Sequence, residues 1–519
     1  MERNAAHSFF ERKLIWLLLA VGLGILWRLP LYLNAEHLVW SDEAANLLTV
    51  KHLLKFGEPY YFYHGMRYQG LTESLISLLF VPLFGFSALS QKLAGTVVYL
   101  AFALLTARFF FSYVSDHFLR LICVAFLIFP TNHLFHTSFM AYGGHLLNAL
   151  LGFCLVYAVF YFHKEQQTHR WIYSFTICSI IALGIYTYRH FLSFYPALAL
   201  MVLFFRGKLS FFSKENLRNA LLIGAFALLL PMVNQRLGEW TQGHTDEHLN
   251  SFMMFQSFQL NSWLQIKSKI VFVFSELWSL FFTANIHEQF RLTGIVLGIG
   301  TIVVLSVVTV VTWSRTSDLW RLYRISVAHV VIVFASVIIT PYAITPMDLR
   351  YLMPIYAVAP FLITALLTLP QGNKMRERYQ RIVRSAFAIF VLLGIANTIL
   401  YNNFIGIQSG FSLVKRPHDF GELVQYLNHE KIKCLFMDYS DAYRFSLIAE
   451  EEIVASGTHL PRIQRYEDCA EKQSPRIIAL RNTHEELPMF LSFKPKHALW
   501  YRVRAKLSDY TILESTTAQ

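Results

Sequence analysis

Long apolar segments recur along the chain up to residue 401, and they constrain the fold more than any other feature. Segments long enough to cross a bilayer as helices lie at about 14–33, 93–111, 120–137, 146–162, 171–187, 191–205, 219–235, 292–313, 325–343, 352–369 and 385–401. Of the 519 residues, 55% are hydrophobic and 15% are charged, whereas soluble proteins carry about 25% charged residues. The sequence therefore predicts a polytopic α-helical membrane protein and argues against a soluble enzyme, a fibrous chain or a disordered chain.

The basic residues predict how these segments are oriented. Lys and Arg residues cluster in connecting segments at 1–13, 164–170, 206–218, 314–324 and 371–384. The positive-inside rule places all of these clusters on the cytoplasmic side, and it explains the net charge of +12 without any binding of nucleic acid. This orientation requires that two shorter or amphipathic segments, 72–86 and 268–284, do not cross completely. We therefore predict about eleven full crossings and two partial helices, within a range of about 11–13 membrane helices. The segment 14–33 lacks a small-residue cleavage site and is predicted to be a retained span.

This topology divides the chain into two predicted domains. Residues 1–402 form a transmembrane catalytic domain, and residues 403–519 form a small α/β domain on the extracytoplasmic side. The loops that share that side are 34–71, 186–190, 236–268 and 344–351. Since enzymes carry their chemistry on loops held by a rigid scaffold, we expect the reactive residues in these segments.

The tail shows both helical and β-rich patterns. Helical patterns occur at 419–430 and 441–451, and β-rich runs occur at 432–437, 453–455, 477–480 and 498–503. The tail has no phosphate-binding glycine loop, so the simplest interpretation of its role is a lid or a stabilising cap. Cys434 and Cys469 could pair there if the tail faces an oxidising compartment.

An acidic doublet follows the first span in the motif 40–44 (WSDEA). Ser41 or Asp42 could cap the helix that follows, which is the structural interpretation. The functional interpretation is that Asp42 and Glu43 act in acid–base chemistry or cation binding at the membrane surface, where partial desolvation strengthens a base.

Two arginines lie on the side opposite the basic clusters, so orientation does not explain them. Arg350 begins a span in the motif 345–354 (TPMDLRYLMP), and it could extend to the interface, pair with Asp348 or bind a phosphate. Arg189 lies in the turn 186–190 (YTYRH), whose aromatic residues suit an interfacial belt, and it is a second candidate for anion binding.

Further polar residues lie within or near the apolar segments, where polar groups are costly and are candidate substrate contacts. These residues are His64, Arg67, His133, His136, Tyr142, His145, Asn148 and Tyr188. A single interfacial histidine is more often structural, and no histidine pair has a metal-ligand spacing with a carboxylate.

The order of these features resembles the type-C fold glycosyltransferases, in particular the bacterial members akin to protein O-mannosyltransferases and the lipid A aminoarabinose transferase. The matching motifs are 42–44 (DEA), 83–85 (LFG) and 350–354 (RYLMP), and the similar order extends over about residues 12–402. The resemblance implies inverting transfer of a hexose or pentose from a polyprenyl-phosphate donor to an acceptor on the extracytoplasmic face. The acceptor would be a lipid, a polysaccharide or a protein, and the membrane would be the bacterial inner membrane.

The resemblance also assigns roles to individual residues. Asp42 would be the general base that deprotonates the acceptor hydroxyl, and Glu43 would orient it or help to bind a cation. Arg350 and Tyr351 would contact the donor phosphate.

The sequence departs from the family pattern at two places. Many relatives carry Lys-Gly-Pro where this chain has 188–190 (YRH), so Arg189 would replace the lysine. Relatives often carry a second acidic residue where this chain has 136–142 (HTSFMAY), so we expect no cofactor and no metal, although a divalent cation stays open.

The alternative is a transporter or lipid flippase. Such proteins place ionisable residues at mid-membrane in repeated halves, whereas the charged candidates here collect at one face and the chain shows no symmetry between its halves.

Overall fold

The structure of the protein is a computed structural model. The residues it describes are 22–26, 28–29, 31–58, 60–64, 66, 69–114, 116–128, 130, 132–140, 144–162, 170–204, 214–242, 263, 266–271, 291–313, 317–339, 351–368, 378, 381–382, 384–385, 388–389, 392, 420–458, 461–482 and 500–516. The predicted spans 14–33 and 385–401 and the segment 268–284 lie partly outside them.

The first part of the chain is helical. Its helices are α1 (Ser41–Phe56), α2 (Thr72–Ser77), α3 (Val81–Phe84), α4 (Ala88–Tyr113), α5 (His117–Ile128), α6 (Asn132–Phe139), α7 (His145–Phe162), α8 (Arg170–Thr187), α9 (Tyr195–Phe204), α10 (Lys214–Gln242), α11 (Arg291–Val311), α12 (Asp318–Ile339) and α13 (Pro354–Leu367). Two 3₁₀ turns, Ala35–Leu38 and Arg189–Phe194, precede α1 and α9. Most of the predicted apolar segments within this part are thus helices.

Two helices in the described part of the chain, α4 and α12, are long and apolar enough to cross a membrane. Shorter apolar helices occur at His145–Tyr161, Trp171–Thr187, Leu221–Asn234 and Pro354–Leu367. Length and composition alone do not establish crossings, so the number of crossings stays a prediction.

The segment 72–86 forms two short helices rather than one long helix. Helix α2 has 6 residues and α3 has 4. At about 1.5 Å per residue, neither approaches the roughly 30 Å thickness of the hydrocarbon core. The incomplete crossing of this segment stays a prediction.

The prediction of one continuous span at 120–137 is wrong. The segment is divided between α5 and α6, and Pro130 lies between these two helices. Proline lacks a backbone N–H and disfavours the helical conformation of the residue before it, so the helix ends before Pro130.

Aromatic side chains join several helices within a core whose buried residues are mostly aliphatic. Phe361 of α13 stacks on Phe153 of α7 at a ring-centroid distance of 5.0 Å and meets Phe109 of α4 edge-on at 4.7 Å. Gly152 lets Phe194 approach α7 closely, because a Cβ at Gly152 would lie 2.1 Å from the ring. Substituting Gly152 would therefore displace the turn that precedes α9.

The tail forms a small α/β unit, as predicted. Its helices are α14 (Gly421–His429), α15 (Tyr439–Ile448) and α16 (Gln464–Lys472), and its strands are β1 (Cys434–Met437), β2 (Val454–Gly457), β3 (Ile477–Arg481), β4 (Trp500–Lys506) and β5 (Tyr510–Thr516). The sheet order is β2-β1-β3-β5-β4, with β1 parallel to β2 and β3, and β5 antiparallel to β3 and β4.

A disulfide joins the sheet of the tail to its third helix. Cys434 of β1 and Cys469 of α16 are bonded, with their Cα atoms 5.7 Å apart. The sequence left this pairing open, and the bond fits a tail that faces an oxidising compartment.

The tail packs directly on α1. Ala44, Leu47 and Leu48 of α1 are buried in the same apolar cluster as Tyr443 and Phe445 of α15. Helix α1 therefore lies between the helical part of the chain and the tail, and its two faces meet different environments.

Candidate functional site

Glu43 is completely buried and stabilises the first turn of α1. Its Oε2 accepts a hydrogen bond from the Trp40 backbone N–H at 3.0 Å, and Lys92 Nζ of α4 lies 2.6 Å from the same oxygen. Both side chains of the ion pair are 0% exposed. The capping prediction is wrong in its detail, because the helix cap comes from Glu43 rather than from Ser41 or Asp42.

Lys92 has partners beyond Glu43. Its ammonium donates to the Leu38 carbonyl at 2.9 Å and lies 3.0 Å from Met140 Sδ. A buried ammonium needs this set of acceptors because unpaired charge is very costly away from water. The pair therefore fixes α1 against α4 and the segment before α1.

Asp42 faces the tail instead. Arg462 Nη2 lies 2.7 Å from Asp42 Oδ1, and the Tyr439 hydroxyl donates to the same oxygen. The Asp42 side chain keeps 27% of its surface exposed. Burial raises the pKa of Tyr439 well above its usual value. Asp42 raises this pKa further, whereas Arg462 lowers it, and the hydroxyl stays protonated and donates to Asp42. Asp42 is thus a partly accessible carboxylate at the boundary between α1 and the tail.

Residues predicted from three separate motifs meet in a ring cluster. Tyr351 contacts His145 and His190 edge-on, each at a ring-centroid distance of 5.9 Å, and His145 contacts Tyr188 at 4.7 Å. Arg189 is exposed, and in the sequence it lies between Tyr188 and His190, which belong to this cluster. The structure thus brings Tyr188, His145 and Tyr351 into contact, and their role in binding a substrate stays a prediction.

Glu73 is a buried carboxylate beside this cluster that the sequence analysis missed. It is 2% exposed, and its Oε2 accepts the backbone N–H of Gly144 at 2.8 Å, next to His145. Thr187 donates to Thr72 at 3.0 Å, so α2 is attached to the cluster at a second point. The available signal was a single charged residue in the otherwise apolar segment 72–86.

His64 lies in a different cluster, at the C-terminal end of α1. Its Nε2 is 3.0 Å from His52 Nδ1, and His52 Nε2 is 2.7 Å from Glu451 Oε1 in the tail. Burial, with the nearby His52 and Arg465, holds the pKa of His64 well below its usual value. His64 therefore has a structural neighbourhood of its own rather than a place in the ring cluster described above.

Glu451 connects this cluster to several partners. Lys51 Nζ lies 2.6 Å from Oε2, while the Tyr466 hydroxyl donates to Oε1 at 2.5 Å and Arg465 Nη2 does so at 2.6 Å. Burial alone would raise the pKa of Glu451, but hydrogen bonds from His52, Lys51 and Tyr466 hold it well below its usual value. The tail thus holds α1 at both ends, through Arg462 at the start and Glu451 near the end.

Several predicted residues lie outside the described part of the chain. These are Arg67, Tyr142 and Arg350, together with the side chains of His133 and His136. Asn148 is buried in α7, and its Oδ1 accepts no hydrogen bond.

Chemically, the arrangement offers a partly exposed carboxylate at Asp42 and an aromatic and imidazole cluster beside the exposed Arg189. A carboxylate can accept a proton, and an arginine can hold a phosphate through charge-assisted hydrogen bonds. Glu43 is buried in an ion pair with Lys92, so Asp42 and Glu43 are not equivalent carboxylates.

No protein-family model matches the sequence, and no curated protein matches it with significance. Among solved structures, the chain is similar to ArnT from Cupriavidus metallidurans bound to undecaprenyl phosphate, with 11% identity and a TM-score of 0.56, over 96% of this chain and 98% of that chain. The apo state of that protein gives 12% identity and a TM-score of 0.46, over 97% and 98% of the two chains. ArnT is a lipid A aminoarabinose transferase with a type-C glycosyltransferase fold. The chain shares this fold, as the resemblance predicted.

Proposed function

We propose that the protein is a membrane glycosyltransferase that moves a sugar from a polyprenyl-phosphate donor to an acceptor on the extracytoplasmic face. The observation that carries this proposal is the fold shared with ArnT over 96% of the chain, and the contacts of His145 with Tyr188 and Tyr351 support it. The ArnT structure contains undecaprenyl phosphate, and we extend a donor of that chemical class to this chain.

The donor phosphate is assigned to the cluster around Tyr351. Arg350 precedes Tyr351 in the chain, and Arg189 is exposed between Tyr188 and His190. A phosphate leaving group accumulates negative charge as the glycosidic bond breaks, and guanidinium groups stabilise that charge. We therefore assign Arg350, Tyr351 and Arg189 to donor binding.

The acceptor is assigned to Asp42. In a single displacement, the acceptor hydroxyl gives its proton to Asp42, its oxygen bonds to the anomeric carbon, and the polyprenyl phosphate departs with the electron pair of the broken bond. Configuration at the anomeric carbon is inverted. Glu43 supports this step indirectly, because its pair with Lys92 fixes the turn that carries Asp42.

The tail has a supporting role in this proposal. Arg462 and Tyr439 both contact Asp42 Oδ1, so an acceptor must approach Asp42 beside the tail. Three further points stay predictions. These are that the tail selects the acceptor, that catalysis requires no metal, and that the protein lies in the bacterial inner membrane.

A transporter or lipid flippase is the alternative from another class, and the shared fold does not favour it. One experiment separates the two. The full chain is purified into vesicles with a labelled polyprenyl-phosphate sugar, and both sugar transfer and lipid or sugar flux are measured on the same preparation. We expect transfer, and flux without transfer would overturn the proposal. Mass analysis of envelope glycans from cells with and without the protein would then identify the sugar and the acceptor.

A variant series tests donor binding in that assay. We expect Arg350→Ala to raise the KM for the donor about 10- to 150-fold, because a lost arginine–phosphate contact costs about 1.5–3 kcal/mol. Arg502→Ala is the matched control, since Arg502 lies in the tail with 72% of its side chain exposed. An unchanged donor KM in Arg350→Ala would reject the assignment.

A further inference from the structure

His52, Glu58 and His64 converge at the C-terminal end of α1. One ligand atom from each residue lies within 4.8 Å of the others. His52 Nδ1 is 3.0 Å from His64 Nε2 and 3.9 Å from Glu58 Oε2. We propose that these three side chains form a binding site for a divalent transition-metal ion, and that their chemistry favours Zn²⁺.

The distances fit an ion placed between the three atoms. Zinc binds histidine nitrogen and carboxylate oxygen at about 2.0–2.2 Å in tetrahedral geometry, which places neighbouring ligand atoms about 3.3–3.5 Å apart. The two distances from His52 Nδ1 lie on either side of this range. The His64 and Glu58 atoms lie within 4.8 Å of each other, so side-chain rotations of about 1 Å would bring all three atoms to ligand distance and would leave a fourth position open for water.

Glu58 has an oxygen suited to this role. Its Oε2 is buried and accepts no hydrogen bond, whereas the other contacts of the carboxylate are with Tyr60 and with Arg465 Nη1, which lies 3.4 Å from Oε1. A buried carboxylate oxygen without a donor is costly, and a cation between Glu58 and the two histidines would remove that cost.

Glu451 supplies the second contact that metal-binding histidines usually have. Its Oε1 lies 2.7 Å from His52 Nε2, on the side of the ring away from His64. A carboxylate that accepts the proton of one ring nitrogen leaves the other nitrogen with its lone pair, and here that nitrogen is Nδ1. Arg465 Nη2 lies 2.5 Å from the same Nε2 and 2.6 Å from Glu451 Oε1. The positive charge of Arg465 therefore pairs with the negative charge of Glu451.

The backbone places the three residues together. Gly57 ends α1 with a φ of 66°, a left-handed conformation that glycine adopts without strain, and the chain then turns back along the helix. The Thr49 hydroxyl accepts the His64 backbone N–H at 3.2 Å, which holds the returning loop against α1. A bound ion would fasten this loop to α1 and, through Glu451, to the tail.

The site is separate from the proposed chemistry. His52 is ten residues beyond Asp42 in α1, which corresponds to about 15 Å along the helix. The proposed ion therefore has a structural role, and this inference does not rest on the proposed function.

Direct metal binding tests the site. The full chain is purified without a polyhistidine tag, stripped with a chelator and equilibrated with Zn²⁺ or Co²⁺ alone, and bound metal is measured by elemental analysis and by the visible spectrum of Co²⁺. We expect one equivalent per chain, with the intense visible bands of a four-coordinate ion.

Two ligand variants and a control decide the result. His64→Ala and Glu58→Gln should lose the bound equivalent, and Glu451→Gln should weaken binding about 10- to 100-fold. His429→Ala should bind as the parent does, since that histidine is 84% exposed. Size-exclusion profiles and melting temperatures without metal identify any variant that fails to fold. If His64→Ala does not fold, Glu58→Gln still tests the site, because glutamine preserves the size of the side chain. No bound metal in the parent chain, or equal binding in the parent chain, His64→Ala and Glu58→Gln, would overturn the proposal.

Discussion

The two faces of the first turn of α1 show how adjacent carboxylates come to have different roles. Glu43 faces the helical part of the chain, where it is 0% exposed and paired with Lys92. Asp42 faces the tail, where it keeps 27% exposure and meets Arg462 at 2.7 Å. The two residues of the acidic doublet are therefore not one structural unit. Glu43 maintains the structure of the turn, while Asp42 stays partly accessible to solvent.

The largest expected effect is on stability and comes from the buried face. Glu43→Gln leaves the Lys92 ammonium buried without its counter-ion, and breaking a buried pair costs about 3–5 kcal/mol. We expect a clear fall in melting temperature in detergent, which thermal unfolding would measure. The double variant Glu43→Gln with Lys92→Met should recover much of the loss, because it removes the unpaired charge.

Asp42→Asn is the matched control for that measurement. Asp42 keeps 27% of its side chain exposed and Arg462 keeps 9%, and an asparagine Oδ1 still accepts hydrogen bonds from Arg462 and Tyr439, so this variant should lower the melting temperature much less than Glu43→Gln does. Equal destabilisation by Glu43→Gln and Asp42→Asn would show that the two carboxylates contribute equally to stability.

A smaller effect concerns the far end of α1. Contacts with His52, Lys51 and Tyr466 hold the folded-state pKa of Glu451 below its unfolded value of about 4.3, although burial acts in the opposite direction. A group with a depressed folded pKa contributes stability above its unfolded pKa and loses that contribution as the pH falls through the folded pKa. We therefore expect the melting temperature to fall as the pH drops below about 4.3.

Glu451→Gln should flatten this pH dependence, since the variant has no carboxylate to protonate. The control is Glu452→Gln, because Glu452 is exposed next to it. An equally steep fall in both variants would assign the acid sensitivity to other groups.

The sequence predicted best those helices and strands that depend on the pattern of neighbouring residues. Apolar runs predicted α4, α7 and α8 closely, and β-rich runs predicted strands β1 to β4 of the tail but not β5. Helix α16 was missed because its sequence is polar and only Tyr466 and Ala470 in it are buried. The division between α5 and α6 could have been found from Pro130.

The candidate site could be predicted only in part, because partners distant in sequence are set by tertiary packing. The doublet was visible, but Lys92 is 49 positions from Glu43, and nothing local indicated that Arg462 would meet Asp42. The His52–Glu58–His64 group has irregular spacing, and its convergence depends on the turn at Gly57. Tyr188 and Tyr351 were identified singly from their motifs, and their common cluster required the fold.

The most direct test of the central claim is the rate of sugar transfer by Asp42→Asn, measured beside its melting temperature. If Asp42 is the base, the variant should lose about 10²- to 10⁴-fold in transfer rate while its melting temperature stays close to that of the parent chain. Full transfer activity in a folded Asp42→Asn protein would contradict the account.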